Sequence, residues 1–200
     1  VLVKKAEQIA AGIPGCRAIA DQIIARYGDV VLGGPFRGMR LTPMCRAEHL
    51  SPYLLGLYER ELNPVWDVVF RGRPAQILDI GAKFGYYAVG LARRFPAAPV
   101  VAFDPDPWAR RATREMAAGN ATPTVELAAF CDPAWLRAHV RPGALILSDC
   151  EGYEAELFGA AEIPALATAT LVIETHEAFV PGVGQQIRGV LGRSHRIYTI

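Results

Sequence analysis

The sequence has no excess of one charge, no long apolar run and no paired cysteines. Its 200 residues carry a formal net charge of +1 with scattered basic residues, which argues against a nucleic-acid partner. No apolar stretch approaches the length of a membrane span and no signal-peptide pattern opens the chain, so we expect no membrane partner and a soluble, cytoplasmic protein. The oligomeric state is left open, with a homodimer as one option.

The cysteines also argue against a disulfide-stabilised protein and a zinc-binding protein. Cys16, Cys45, Cys131 and Cys150 are far apart and form no C-x-x-C pair, which favours reduced thiols over a disulfide framework or a zinc site. Arginine greatly outnumbers lysine and alanine is abundant, a bias that fits a GC-rich bacterial genome. We therefore expect a bacterial protein from a reducing compartment.

The pattern of apolar residues predicts an α/β fold of one structural domain. Apolar residues make up 52% of the chain, enough for a single well-filled core. We expect a cap over residues 1–72 and a core over 73–200, in which helices alternate with apolar strands in a doubly wound, mostly parallel sheet. The predicted strands are 76–80, 99–103, 124–130, 144–148, 169–174 and 196–200, and the helices between them are 85–95, 107–119, 133–139, 153–160 and 184–192.

The cap is predicted to be partly helical and partly irregular. Helices are expected at 4–11 and 17–26 on either side of a Gly-Ile-Pro-Gly breaker, and two short strands within 30–42. Residues 42–56 look irregular, and a further helix is expected from about residue 57 to 72, restarting at Asn63-Pro64. This region is expected to cover the core.

A glycine-containing loop is the most informative feature of the core. Residues 77–88 read ILDIGAKFGYYA, an apolar run that ends in an acid and then has two glycines four residues apart. Gly81 and Gly85 can take positive φ and let a ligand approach the backbone, beside the positive end of the following helix. A dinucleotide site would read G-x-G-x-x-G, whereas this motif is D-x-G-x-x-x-G. Asp79 would repel a pyrophosphate but suits an amine, which S-adenosylmethionine carries without any phosphate.

A second acid supports a nucleoside ligand. Residues 99–104 read PVVAFD, a short strand that ends in Asp104, 25 residues after Asp79. That distance fits one strand-helix-strand unit, and an acid at the tip of the second strand accepts hydrogen bonds from ribose hydroxyls in nucleoside-binding folds. The alternative is that Asp-Pro simply starts a turn.

Two later strands also end in polar residues. Residues 145–154 read LILSDCEGYE and place Asp149 at the mouth of the sheet, facing the cofactor or the acceptor. Residues 171–177 read LVIETHE, and alternation puts Glu174 and His176 on one side of that strand. His176 is the best general-base candidate, because a neutral imidazole accepts a proton at cellular pH. Its alternative role is a structural histidine at a strand end.

Other polar residues near these tips have more ordinary interpretations. Glu154 and Glu156 are interpreted as first-turn acids that complement a helix dipole. The oxygens and the nitrogen at adjacent tips could hold a divalent cation, but no tight ligand spacing requires one and we assign no metal ligand. Phe130 and Cys131 close the third strand, where such residues pack beside an adenine ring or simply belong to the core.

With these motifs, the chain resembles the FkbM-like family of class I S-adenosylmethionine-dependent methyltransferases, which have a Rossmann-like fold. The resemblance rests on GLYEREL at 56–62, LDIGAKFGYY at 78–87, DCEGYE at 149–154 and VIETH at 172–176. The glycine motif is shared by all class I methyltransferases, and the D-x-E-G-x-E block with the upstream Tyr-Glu is more specific. The match covers about residues 50–177.

The resemblance implies the cofactor, the reaction and most of the site. It implies O-methylation of a hydroxyl on a small-molecule acceptor such as a sugar or a secondary metabolite, with Asp149 in the active site and Tyr58 and Glu59 near the cofactor from the cap side. The catalytic residues expected are His176, Asp149 and Glu174. The cofactor contacts expected are Tyr58, Glu59, Asp79, Gly81, Ala82, Lys83, Gly85, Tyr86, Tyr87, Asp104, Pro105, Phe130, Cys131 and Asp149.

The chain departs from the family pattern at three places. Lys83 stands where the family usually has Asn, and Leu147 where a Lys often precedes the D-x-E-G block. The sheet is expected to stop at a sixth strand, whereas class I sheets have a seventh. Two other functions therefore stay open: a cofactor-binding scaffold without activity, and an NAD-dependent oxidoreductase.

Overall fold

A computed structural model describes residues 16–47 and 50–200 of the chain. Its centre is a five-stranded parallel sheet in the order β3-β2-β1-β4-β5, which confirms the predicted α/β fold. The strands are β1 (Ile77–Ile80), β2 (Val100–Phe103), β3 (Val125–Ala128), β4 (Leu145–Ser148) and β5 (Thr170–Ile173). The helices are α1 (Cys16–Tyr27), α2 (Leu50–Leu55), α3 (Asn63–Val69), α4 (Tyr86–Arg94), α5 (Pro107–Gly119), α6 (Pro133–His139), α7 (Glu154–Leu157), α8 (Ile163–Leu166) and α9 (Val183–Leu191), with 3₁₀ helices at Pro43–Ala47 and Arg60–Leu62.

The sheet is covered on both faces, which explains why its central strands are continuously apolar. All four residues of β1 and of β4 are buried, including the polar Asp79 and Ser148. One core cluster contains Phe36, Trp66 and Leu91, and the other contains Phe103 and Phe158. A parallel strand buried on both faces has no solvent side on which to place alternating polar residues.

The N-terminal segment packs closely on the core. The Phe36 ring lies against Gly90 of α4, where a Cβ atom would come within 2.4 Å of its Cδ1. The same ring makes edge contacts with Tyr86 and Tyr87, at centroid distances of 5.2 and 5.8 Å. The start of α4 is therefore held between the sheet and the segment that precedes it.

Several sequence predictions need correction. Residues 196–200 form no strand, because apolar β-formers need a paired edge and Ile197, Tyr198 and Ile200 are exposed instead. The two short strands expected within 30–42 reduce to a single antiparallel bridge between Val30 and Arg40. The stretch expected to be irregular, 42–56, contains α2 and a 3₁₀ helix. The helix expected at 153–160 is shorter, because α7 spans only Glu154–Leu157. Phe158 leaves helical geometry with φ −110° and ψ 67°.

Other predictions hold. The helices expected at 107–119 and 133–139 match α5 and α6, each beginning with an Asp that caps the helix and a Pro that follows it. The helix expected at 4–11 lies outside the described residues. Among the described residues, no helix has both the length and the apolar character needed to cross a membrane.

Gly81 offers a test of how closely the core loops pack. Its φ is +91°, and a Cβ atom there would lie 1.8 Å from the Asp149 carbonyl oxygen. We expect Gly81→Ala to lower the free energy of unfolding by more than about 4 kcal/mol, in the range where severe backbone clashes fall. Gly182 has a similar φ of +84° but nothing within 4 Å of such a Cβ, so Gly182→Ala should cost only about 1–2 kcal/mol. Urea unfolding of both variants measures the difference, and equal losses would contradict this packing.

Candidate active site

A cavity of about 340 Å³ opens at the carboxyl ends of β1, β4 and β5. Strand order reverses between β1 and β4, and open α/β sheets bind their ligands at such a switch point. The wall combines residues from the N-terminal segment, the loop after β1 and the ends of β4 and β5. Of the cofactor contacts predicted from the sequence, the wall contains Tyr58, Glu59, Asp79, Gly81, Ala82, Lys83, Tyr86, Tyr87 and Asp149.

Asp79 joins the sheet to the helix that follows it. It is 4% exposed, and its Oδ2 accepts a hydrogen bond of 2.8 Å from the Ala88 amide in the first turn of α4. Burial raises the pKa of Asp79 to about 7, although the Ala88 amide opposes that shift. The carboxyl group therefore both lines the cavity and fixes the start of α4.

The two glycines of the loop have the positive φ predicted from the sequence. Gly81 has φ +91° and Gly85 has φ +85°. The structure shows a second reason why each position needs a glycine. Gly81 touches the backbone of Asp149. Gly85 packs on Thr113 of α5, where an added Cβ atom would lie 2.7 Å from the Thr113 Cγ2. The glycine spacing thus serves the packing of the loop as well as access to its amides.

Asp104 holds the same loop from the tip of β2. Its Oδ2 accepts a hydrogen bond of 2.9 Å from the Lys83 amide, and its Oδ1 accepts one of 2.8 Å from the Asp106 amide. Lys83 itself has a left-handed backbone, with φ 49°. Burial raises the pKa of Asp104, while these two amides lower it. A carboxylate has further lone pairs, so Asp104 can still accept from a ligand.

Some predicted cofactor residues lie outside the cavity wall. Asp104 and Pro105 lie at the end of β2, and Phe130 and Cys131 lie at the end of β3, on the side of the sheet away from β4. Cys131 is buried, whereas Phe130 is 54% exposed and packs on Tyr153 at a centroid distance of 5.0 Å. These four residues follow neighbouring strands at the same end of the sheet, and Gly85 of the loop after β1 also lies outside the wall.

Aromatic rings form the cap side of the cavity. Tyr53 stacks on Tyr58 at 4.1 Å between ring centroids and meets Tyr86 edge-on at 4.9 Å. The Tyr87 hydroxyl donates a hydrogen bond to Glu59 Oε2. Sequence reasoning placed Tyr58 and Glu59 here but missed Tyr53, which lies in the segment expected to be irregular.

His176 lies behind the cavity wall, among carboxylates. It is 8% exposed, and its Nε2 lies 3.3 Å from Asp149 Oδ1 and 3.9 Å from Glu174 Oε1. Asp149 and Glu174 line the cavity, whereas His176 does not. The three residues predicted to be catalytic are therefore neighbours, and the two carboxylates are the members that face a ligand.

Glu154 lies in the first turn of α7, as its sequence position indicates, but it is fully buried. Its Oε1 accepts a hydrogen bond of 3.0 Å from the Cys150 amide and lies 2.8 Å from His176 Nδ1, and its Oε2 accepts one of 2.9 Å from the Gly152 amide. The only available signal was its place in the D-x-E-G-x-E block. Glu156 is exposed, as a dipole-complementing acid would be.

Two groups of the cluster, Asp149 and His176, have shifted pKa values. Burial and the neighbouring Glu174 carboxylate raise the pKa of Asp149 to about 7. Burial would lower the pKa of His176, but the hydrogen bond to Glu154 and the surrounding carboxylates raise it overall. Asp149 is thus placed on the cavity with a pKa near neutrality, where a carboxylate can accept a proton from a ligand.

Comparison with known proteins identifies the fold. No family model and no curated protein matches this sequence. The bifunctional kinase-methyltransferase WbdD aligns with a TM-score of 0.50 at 16% identity, over 83% of this chain and 37% of WbdD. The proposed methyltransferase yhhF from Escherichia coli aligns with a TM-score of 0.48 at 18% identity, over 72% of this chain and 74% of yhhF. An O-methyltransferase family protein from Burkholderia thailandensis aligns with a TM-score of 0.39 at 19% identity, over 64% and 43% of the two chains.

These structural neighbours are methyltransferases, at low sequence identity. The FkbM-like family is not identified by any of them. At 16% identity the similarity to WbdD shows a shared α/β fold alone, and a function must be argued from the site itself.

The buried Asp79 makes stability depend on pH. The folded protein keeps this proton up to about pH 7, whereas the unfolded chain loses it near pH 4, so folding stability falls as pH rises between those values. The slope from one such group is at most about 1.4 kcal/mol per pH unit. Asp79→Asn should remove this contribution, because an amide cannot ionise. Between pH 5 and 8, the free energy of unfolding measured in urea should fall less for Asp79→Asn than for wild type. In the control variant Asp67→Asn, which changes an exposed aspartate, it should fall as in wild type.

Proposed function

We propose that this protein is an S-adenosylmethionine-dependent methyltransferase that acts on a hydroxyl group of a small molecule. The observation that supports this best is the acidic wall of the cavity at the switch point, formed by Glu59, Asp79, Asp149 and Glu174. Such a wall suits a ligand with cationic groups and would repel a pyrophosphate. S-adenosylmethionine carries a sulfonium and an amine, and no phosphate.

The residues present fit this cofactor. The loop from Gly81 to Gly85 presents its backbone beside Asp79, next to the start of α4, where an amine can meet a carboxylate. Asp104, at the tip of β2, would accept hydrogen bonds from the ribose hydroxyls. Phe130 and Cys131 lie at the next strand tip, where an adenine ring would pack. When bound, the cofactor supplies an activated methyl group on sulfur.

The chain's own residues would orient the acceptor and take its proton. The rings of Tyr53, Tyr58 and Tyr86 restrict the cavity and would exclude water from it. Asp149 and Glu174 face the cavity from the opposite side, with His176 directly behind them. Proximity and proton removal are what transfer from a sulfonium requires, since the methyl donor is already activated.

The acceptor is proposed to be a small hydroxylated compound, such as a sugar or a secondary metabolite. A cavity of about 340 Å³ limits it to a small molecule. His176 Nε2 lies within 4 Å of a carboxylate oxygen of both Asp149 and Glu174, and this convergence supports an enzyme over a scaffold, which would have no need of it.

Ligand binding tests the cofactor assignment. Isothermal titration calorimetry should show saturable binding of S-adenosylhomocysteine and no binding of NAD⁺ or NADH. Asp104→Asn should weaken that binding by about 1–3 kcal/mol, since charge-assisted hydrogen bonds to the ribose are weakened. Asp67→Asn, which changes an exposed aspartate of α3, is the matched control and should bind like wild type. Saturable binding of NAD⁺ without S-adenosylhomocysteine would overturn the proposal in favour of an oxidoreductase.

Loss of the imidazole tests the role of the cluster. We expect His176→Ala to lower the turnover of the acceptor by about 10²–10⁴, because Asp149 then loses the imidazole, 3.3 Å away, to which it would pass the hydroxyl proton. S-adenosylhomocysteine affinity should stay within about twofold of wild type, since His176 lies outside the cavity wall. The matched control is His139→Ala, which removes an exposed imidazole that stacks on Trp135. Turnover equal to that of His139→Ala would contradict this role.

A further inference from the structure

One imidazole nitrogen and three carboxylates converge beside the cavity. His176 Nε2 lies 3.3 Å from Asp149 Oδ1 and 3.8 Å from Glu151 Oε2. Glu174 Oε1 is 3.9 Å from the same nitrogen. These separations are longer than the roughly 2.7–3.2 Å of N–H···O hydrogen bonds. They match the spacing of about 3–4 Å between neighbouring ligand atoms around one cation, whose own bonds to nitrogen or oxygen are about 2.0–2.2 Å.

The imidazole is fixed in the orientation that a metal ligand needs. His176 Nδ1 lies 2.8 Å from Glu154 Oε1, so with its proton on Nδ1 the ring turns the Nε2 lone pair toward Asp149 and Glu151. Glu154 is fully buried and is itself held by two backbone amides. A carboxylate that orients the second nitrogen of a histidine is the usual outer contact of histidine metal ligands. An acidic patch on the surface would have no such support.

The charge of the cluster also calls for a cation. Four carboxylates, those of Asp149, Glu151, Glu154 and Glu174, each place an oxygen within 4 Å of the His176 ring nitrogens. Glu59 adds a further carboxylate within 4.8 Å of those of Asp149 and Glu174. A protonated imidazole brings at most one positive charge to this cluster, whereas a divalent cation bound between the oxygens would bring two.

We propose that Asp149, Glu151 and His176 bind a divalent transition-metal cation such as Mn²⁺ or Zn²⁺. An imidazole nitrogen combined with carboxylate oxygens favours such an ion over Mg²⁺ or Ca²⁺, which prefer oxygen ligands alone. The sequence assigned no metal ligand, because these residues have no tight spacing along the chain. They become a set only through the pairing of β4 with β5.

The position of the site indicates what the cation would do. Asp149 and Glu174 also line the cavity, so an ion among these ligands would face a bound small molecule. A hydroxyl oxygen that completes its coordination would lose its proton more readily, since a bound cation lowers the pKa of such a group. This inference rests on the ligand geometry and does not depend on the proposed methyl transfer.

Manganese binding tests the site directly. The 200-residue protein is freed of metal with a chelator, and Mn²⁺ is then titrated while the electron paramagnetic resonance signal of free Mn²⁺ is followed. We expect one saturable site per chain. In long-range ¹H–¹⁵N spectra of the wild-type protein, bound Mn²⁺ should broaden the imidazole signals of His176 before those of His139 and His195. This second measurement needs no variant and so does not depend on the folding of one.

Variants identify the ligands. His176→Ala and Glu151→Gln should each weaken Mn²⁺ binding by at least about tenfold, and Glu154→Gln by about 10–100-fold, because it releases the imidazole without touching the ion. Glu156→Gln changes an exposed glutamate two residues after Glu154, and this variant should bind Mn²⁺ like wild type. Circular dichroism in metal-free buffer confirms that each variant is folded.

Two outcomes would overturn the proposal: absence of saturable Mn²⁺ binding to the wild-type protein, or Mn²⁺ binding that His176→Ala and Glu151→Gln leave unchanged. S-adenosylhomocysteine binding, measured on the same metal-free protein, separates this proposal from the methyltransferase proposal. Loss of Mn²⁺ binding with intact nucleoside binding overturns the cation site alone. Mn²⁺ binding without nucleoside binding overturns the cofactor assignment alone.

Discussion

The geometry of the site depends on the buried carboxylate of Glu154. It connects the loop after β4, through the amides of Cys150 and Gly152, to His176 in the loop after β5. A buried carboxylate is costly unless its lone pairs are used, and three partners offset that cost here. Without Glu154, the Nδ1 side of the His176 ring would lose its carboxylate partner, and the loops would keep only the longer contacts of Nε2 with Asp149 and Glu151. The remaining residues of the cluster are arranged around this contact.

Around that contact, the protein concentrates negative charge where the sheet ends. Asp79, Asp149 and Glu174 all have raised pKa values, because burial and neighbouring carboxylates disfavour ionisation. Such an arrangement lowers the stability of the free protein. It strengthens the binding of a cationic ligand in the same place, because the positive charge of the ligand offsets the repulsion between the carboxylates. A site built in this way is more readily understood as a binding site than as a structural element.

The sequence predicted the core of the fold well and the edges poorly. Strands β1, β2 and β4 were recognisable because strands buried on both faces are continuously apolar, and α5 and α6 because each begins with Asp-Pro. The strand expected at 196–200 was wrong, since propensity alone cannot supply a neighbouring edge. Helix α2 was missed because its sequence, LSPYLL, is short and carries a proline.

The candidate site was also predicted only in part. Asp79, Gly81 and Asp149 could be found from the sequence, because each occupies a fixed place relative to a strand end. Glu154 was correctly placed in a first helical turn, but its contact with His176, 22 residues later, carried no sequence signal. Tyr53 carried no signal of its own. Whether His176 and the carboxylates act as predicted remains a prediction.

The contact between Gly81 and the Asp149 carbonyl has a mechanical consequence. The loop that would carry the nucleoside and the loop that carries the acidic cluster touch backbone to backbone, with no side chain between them to absorb a displacement. A rotamer change can accommodate movement between two side chains, but two main chains in contact must shift together. A displacement of either loop toward the other would therefore have to be accommodated by the main chain itself.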